Sequence, residues 1–338
     1  MAKIDQSLLG CILSQEFAEQ TDQRMADAGI KVEFRVGQSQ FNGRWEALKA
    51  KGVLGVFLWQ QGEKFRPYKP HRQRRGTCVG RGAHKALEAS YLHTLGNKLA
   101  FGKPVEIAWE PAYVGSRIIV GKGQLGSGDG SCGPWIAEFL AGINGVGGFA
   151  KRGVYGSADL SQTNENWAVS FSSKNQRMPA ELMVELQQHT CSVHSTRSND
   201  QMFDAIASYF AVFRCWDTLF GSRDRNGQCV ASDTGAHCQA VIGAYVDQDG
   251  EDSFVDAQSW GEDIPAGPDE IVLKDGSRVK LPPGCYGVKE REFIKAQRRS
   301  SWWDAHAICV RPGQEYRVDG SAEVGGSRSV SEMERLAS

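Results

Sequence analysis

The chemistry this sequence could do starts with a sulfur atom and a distant imidazole. Gln73-Arg74-Arg75-Gly76-Thr77-Cys78-Val79-Gly80 is a loop rich in Arg and Gly. It runs into a segment where Ala83, Ala86, Leu87, Ser90, Tyr91 and Thr94 recur at i, i+3, i+4 and i+7 before Gly96-Asn97, which predicts a helix. Cys78 then falls on the first turn. There the unpaired backbone N–H groups and the positive end of the macrodipole favour a thiolate, the nucleophilic form of cysteine. A small apolar residue packed at a helix start is the competing reading.

A cysteine nucleophile needs a base. Gly235–Val246 is an apolar run in which His237 stands near the start, and it predicts a buried strand. The turn Asp247-Gln248-Asp249-Gly250 follows, then Ser253-Phe254-Val255-Asp256-Ala257-Gln258-Ser259-Trp260-Gly261. Two strands joined by such a turn are antiparallel neighbours, so the second returns towards His237. Gln258 then falls where its amide could orient the imidazole, the base-plus-orienter arrangement an activated cysteine requires. A structural histidine satisfied within the core is the alternative for His237 taken alone.

Together these blocks resemble the papain-like cysteine peptidases. The family pattern is a Gln, a short Gly-containing loop, a catalytic Cys opening a long helix, a His beginning a strand that ends in Gly-Tyr, and then Asn-Ser-Trp-Gly. It reads here as Gln73, Gly76 and Cys78, then His237 with Gly243 and Tyr245, then Gln258-Ser259-Trp260-Gly261. Gly128-Asp129-Gly130-Ser131-Cys132-Gly133-Pro134, ahead of an expected helix Trp135–Ile143, resembles the family's Gly-rich substrate loop. The Asp200–Ala207 helix, the Val212–Thr218 strand and the Gly284–Val288 segment resemble its second lobe. The resemblance spans roughly residues 60–315. Four departures stand out: Gln258 replaces the family's Asn, Val79 its Trp, Arg75 a half-cystine, and Gln73 lies one residue closer to the cysteine than the family's Gln.

The resemblance implies an α+β, papain-like two-lobe fold. A helical lobe, about residues 70–190, would carry Cys78, and an antiparallel β-rich lobe, about 191–317, would carry His237. It implies Cys78, His237, Gln258 and Gln73 as catalytic residues, and Trp260, Ser131, Cys132 and Gly133 as substrate-binding ones. The partner would be a peptide or protein substrate, and no cofactor or metal is implied. Two other readings stay open. One is a thiol amidase or transpeptidase. The other is a catalytically weakened domain, similar to single-chain versions in bacterial viruses, serving as a structural or virion component with an assembly partner at residues 1–60.

Composition bounds these readings. The 338 residues, 41% of them hydrophobic, suffice for one large or two moderate cores. A formal charge of −1 gives no global drive towards nucleic acid or membrane. The N-terminus lacks a signal-peptide pattern, and no apolar run is long enough to span a bilayer. Nine cysteines without regular spacing point to free thiols, hence to a cytoplasmic setting.

Residues 1–60 are read as an extension packed on or preceding the 61–317 domain, with a helix over Leu8–Met25, a strand over Lys31–Val36, a helix over Phe41–Lys51 and a strand over Val53–Trp59. Gly121-Lys122-Gly123-Gln124-Leu125-Gly126 has dinucleotide-fingerprint spacing, but further glycines follow where a helix should start. A loop at the cleft edge is the preferred reading. His189, Cys191 and His194 match no usual zinc spacing and read as a polar turn between lobes. Cys229 and Cys238 read as packing residues. After the Lys289–Arg298 helix comes a late strand in Trp302–Val310, whose His306 is a rival base without the surrounding motif. Residues 318–338, rich in Gly, Ser, Glu and Arg, read as a disordered tail.

Overall fold

A computed structural model describes residues 10–28, 43–63, 66–69, 72–96, 105–143, 145, 147–173, 176–189, 191–261, 265–300 and 303–310. The strand expected at Lys31–Val36 and the tail 318–338 lie outside these residues. Helix α1 covers Gln15–Asp27 and α2 Arg44–Ala50. The helix α3 spans Cys78–Gly96, α4 spans Gly133–Ala141, α5 spans Glu165–Ser173, α6 spans Asn199–Ala207 and α7 spans Glu290–Arg299.

An eight-stranded sheet is built from β1 (Gly55–Phe57), β2 (Cys191–Ser195), β3 (Ala211–Phe220), β4 (Gln228–Cys229), β5 (Ala231–Val246), β6 (Asp252–Ala257), β7 (Cys285–Lys289) and β8 (Ala305–Val310). Its order is β2-β8-β3-β5-β6-β7-β4, with β1 added on β5. All pairings are antiparallel except that of β7 with β4. Helices and a mainly antiparallel sheet make the α+β class expected from the sequence.

The helix α3 is buried from Cys78 to Thr94, including the polar residues Arg81, His84, Lys85 and Glu88. A helix covered all round belongs to a core, and the enclosed charges of Glu88 and Arg81 have partners. Glu88 pairs with Arg66 at 2.7 Å, and Arg81 lies 3.6 Å from Glu165 with its guanidinium 4.2 Å above the Trp109 ring. Glycines let the helix come this close. A Cβ on Gly82 would stand 2.7 Å from the Cys238 Sγ and 2.9 Å from its backbone, and one on Gly80 would stand 2.8 Å from the Tyr113 Cβ. The N-terminal part of α3 therefore lies directly on β5.

Strand β5 is buried from His237 to Val246, as its apolar run requires. The turn after it is held by Asp247, whose Oδ1 accepts from the Asp249 and Glu251 N–H groups at 2.9 Å. Gly250 there takes φ +78°, the left-handed conformation that glycine tolerates without penalty. The strand β6 returns antiparallel, with Ser253 opposite Tyr245, and a register shift between Val255 and Asp256 changes the alternation just ahead of Gln258.

Some expectations are corrected. The first helix begins at Gln15 rather than Leu8, because Ser14 caps it by accepting from the Phe17 N–H at 3.2 Å. The chain just before it is extended instead, with Cys11 bridged in parallel to Ser131. His189–His194 is no turn between lobes: Cys191–Ser195 forms the edge strand β2 on β8. The segment before the glycine-spaced motif is a π-helical turn, Ser116–Val120, and no helix starts within Gly121–Gly126, which agrees with a loop.

Candidate active site

Cys78 is the first residue of α3 and is fully buried. One turn further along the helix, Gly82 packs directly against Cys238, the residue after His237. The helix that opens at Cys78 and the strand that carries His237 are thus in contact. Burial nevertheless outweighs the N–H groups of the helix mouth and pushes the thiol up to about 12.

His237, on β5, faces Trp216 across the pairing with β3 and is fully buried. Its ring is stacked on Trp260, with centroids 4.1 Å apart and 19° between planes. Burial, assisted by the Arg214 guanidinium, holds its imidazole down at about 3. The resting state is therefore a neutral thiol and a neutral imidazole, with no hydrogen bond between them.

Gln258 does not orient that imidazole. Neither ring nitrogen of His237 has a hydrogen-bond partner among the described residues. The Gln258 Oε1 accepts from the Trp260 N–H, and its Nε2 donates to the Gly261 carbonyl at 2.9 Å. The extra methylene relative to Asn lets the amide fold back onto its own turn. Gln73 is buried beside the same turn. Its N–H donates to the Ser259 carbonyl at 2.8 Å, its Oε1 accepts from the Ser259 hydroxyl, and its Nε2 donates to the Arg75 carbonyl at 3.2 Å. Arg72 and Trp260 form a β-bridge. The loop leading to Cys78 is thereby stitched to the segment following β6.

Two carboxylates hold the rest of that loop. Glu165, at the start of α5, accepts from the Arg74 N–H at 2.9 Å and from the Thr77 hydroxyl. Asp129 accepts from the Gly76 N–H and from Arg75 Nε, both at 3.3 Å. An ion pair thus anchors the loop at Arg75, where the family has a half-cystine. Neither carboxylate announces itself in the sequence, since each belongs to an ordinary polar loop or helix start.

Ser131, Cys132 and Gly133 are brought to the same place, and they are already occupied. The Ser131 N–H donates to the Gly10 carbonyl at 2.9 Å, and the Ile12 N–H donates to the Ser131 carbonyl at 2.8 Å. Gly10 is pressed so closely on the cysteine loop that a Cβ there would stand 1.8 Å from the Gly76 carbonyl oxygen. Residues 10–12 therefore form a strap across the loop that bears Cys78. Behind Gly133 stands Asp304, 2.5 Å from where a Cβ would be, and it is buried with its Oδ1 2.9 Å from His306 Nε2. His306 Nδ1 lies 3.3 Å from the Ser195 hydroxyl, so this rival base is engaged elsewhere. The strap was missed because nothing in Leu9-Gly10-Cys11-Ile12 distinguishes an extended segment from a helix start.

His189 lies 3.3 Å from Glu185, while His194 contacts Phe210. Among the described residues no group of three or more His, Cys, Asp or Glu side chains is arranged to hold a metal ion. No described helix is long and apolar enough to cross a membrane.

No protein-family model matches the sequence, and no curated protein does. Similarity emerges at the level of structure. Xylellain, a cysteine protease from Xylella fastidiosa, superposes with a TM-score of 0.53 over 91% of this chain and 98% of its own, at 12% identity. The bromelain protease from Ananas comosus gives 0.40 over 76% and 99% at 12% identity, and procathepsin L 3 of Tenebrio molitor 0.39 over 88% and 100% at 15%. With its buried cysteine helix laid on a mainly antiparallel sheet, the chain has the papain-like cysteine-protease fold.

Proposed function

We propose that this chain is a cysteine peptidase whose nucleophile is Cys78 and whose base is His237. The observation that carries the reading is the packing of the helix that opens at Cys78 directly on the strand that carries His237, Gly82 against Cys238. In the reaction His237 takes the thiol proton, and the thiolate attacks a peptide carbonyl. The Cys78 N–H and the Gln73 amide stabilise the oxyanion. His237 then protonates the leaving amine, and water hydrolyses the thioester. Trp260 stacks on the imidazole and fixes the plane of its ring.

Proton transfer from a thiol held near 12 to an imidazole held near 3 is steeply uphill while the strap is seated. Turnover therefore belongs to a form in which residues 10–12 have left the cleft and water has reached both groups. Cys78→Ala and His237→Ala are expected to abolish cleavage of a fluorogenic peptide library while leaving the circular dichroism spectrum intact. An epoxide-type thiol inhibitor is expected to modify Cys78; modification of another cysteine with Cys78 spared sinks the assignment.

The turned-away Gln258 amide favours a second reading, a weakened papain-like domain used for assembly. If Gln258→Asn leaves an inactive protein inactive, that reading prevails; a gain in turnover supports the peptidase. Assays on isopeptide and simple amide substrates separate a thiol amidase or transpeptidase from both.

A further inference from the structure

Of the two carboxylates on the loop before Cys78, Glu165 grips it at the more telling points. It opens α5, and its side chain is only 10% exposed. One oxygen accepts from the Arg74 N–H at 2.9 Å. The other accepts from the Thr77 hydroxyl and lies 3.6 Å from Arg81 Nη2. Arg74 follows Gln73 and Thr77 precedes Cys78. Glu165 therefore holds the inner neighbours of both residues assigned to the oxyanion. Between them the chain makes a tight turn, in which the Thr77 N–H donates to the Arg75 carbonyl at 2.7 Å.

Glu165 is itself firmly seated. The Asn164 side chain caps α5 by accepting from the Trp167 N–H at 3.0 Å. The Asn164 N–H donates to Glu110 at 2.7 Å, and Glu110 is fully buried, with Arg152 Nη1 donating to its two oxygens at 2.9 and 2.8 Å. Shifting Asn164 would leave part of that buried pair unsatisfied, so α5 presents its carboxylate from a fixed base. Asp129 differs: it meets only the Arg75 side chain and the Gly76 N–H, each at 3.3 Å, at the tip of the turn.

We propose that Glu165 is a positioning residue for the oxyanion site: through Arg74 and Thr77 it sets the spacing between the Gln73 amide and the Cys78 N–H. The role rests on the peptidase reading. The Cys78 N–H belongs to the peptide plane that begins at the Thr77 carbonyl, and that carbonyl accepts from the Arg81 N–H at 3.1 Å. The helix thus fixes the plane from one side, and Glu165 fixes the Thr77 side chain from the other. Two donors stabilise one oxygen together only when both point at it, and a misplacement of about 1 Å costs about a hundredfold in rate. Glu165 acts on the donors rather than on the sulfur. Its loss should weaken oxyanion stabilisation and spare the intrinsic reactivity of the thiol.

The test compares variants of the full chain by peptide hydrolysis, by inhibition with a peptide aldehyde, and by iodoacetamide alkylation of Cys78 followed by mass spectrometry. The aldehyde adds to the sulfur and places an oxygen where the oxyanion would stand; iodoacetamide loses iodide and needs no oxyanion site. Glu165→Gln keeps the shape of the side chain but turns an NH2 towards one of its two donors. In this variant and in Thr77→Val, kcat is expected to fall about 10- to 100-fold with KM within about twofold. Aldehyde affinity should fall by a similar factor, while Cys78 alkylation stays within about twofold. Thr77→Ser, which keeps the hydroxyl, should recover most of what Thr77→Val loses. Unchanged kcat in both Glu165→Gln and Thr77→Val overturns the proposal. So does a parallel fall in alkylation, or a Thr77→Ser variant as slow as Thr77→Val. A wild-type chain that cleaves no peptide and captures no aldehyde overturns the peptidase reading, and this role with it; an active wild type with indifferent variants overturns the role alone.

Discussion

Acidification asks the unfolded chain to protonate histidines that the folded chain keeps neutral. His237 is held at about 3 and His93 at about 4, both by burial first, against roughly 6.5 in the unfolded chain. A depressed histidine contributes its full share above its unfolded value and loses it as pH falls towards its folded one. Below about pH 6.5 each group should cost about 1.4 kcal/mol of stability per pH unit. Urea midpoints should therefore drop between pH 7.5 and 5, and His237→Gln should remove about half of that slope; an unchanged midpoint would show that these imidazoles are solvated. The place of Cys78 at the start of a long helix was legible because the glycine loop and the helical periodicity lie together in the sequence, and the buried strand of His237 because its apolar run is uniform. The ionisation state of the two groups was not legible, because it depends on their burial and, for His237, on the Arg214 guanidinium, both set by tertiary packing. Gln258 shows a finer limit. Its place was readable from the motif, but one methylene and a two-residue turn decide where its amide points.

At the level of elements, the approach of α3 to β5 is the contact that assembles the site, and it depends on a missing side chain. Gly82→Ala places a methyl 2.7 Å from the Cys238 Sγ and 2.9 Å from its backbone, which cannot yield as a side-chain end would. Helix propensity alone predicts a gain of about 1 kcal/mol from this change; the clash predicts a net loss of about 1–3 kcal/mol. Denaturant unfolding decides the sign, and a stabilised variant would mean that α3 stands further from the sheet. The helix and the two long strands were readable because their patterns are long and uniform. The first helix was misplaced because Leu9 and Ile12 fit its periodicity, while Gly10 and Cys11 serve contacts with Gly76 and Ser131. Those contacts are tertiary and leave no local trace. Glu165 and Asp129 escaped for the same reason.

Across the whole molecule, the sheet interior beside His237 encloses an ion pair. Arg214 and Asp256 are fully buried and paired, the guanidinium lies 4.4 Å over Phe293 and 4.5 Å over Trp216, and the Tyr286 hydroxyl donates to Asp256 at 3.0 Å. Asp256→Ala strands a buried cation and should cost about 3–5 kcal/mol, whereas Arg214→Met with Asp256→Leu should cost far less. Thermal melts of the three proteins test this, and equal losses for the single and double variants would assign the effect to packing.

The seat of Gly82 on Cys238 also has a temporal side. It joins positions nearly half the chain apart, so its closure pays a large loop entropy, and the two glycines in the opening turns of α3 give that end of the helix little local persuasion to form. The surroundings of Cys78 should thus be among the last parts to acquire amide protection during refolding. Were Cys78 the nucleophile proposed above, a nascent chain would carry it in harmless form until β5 has arrived.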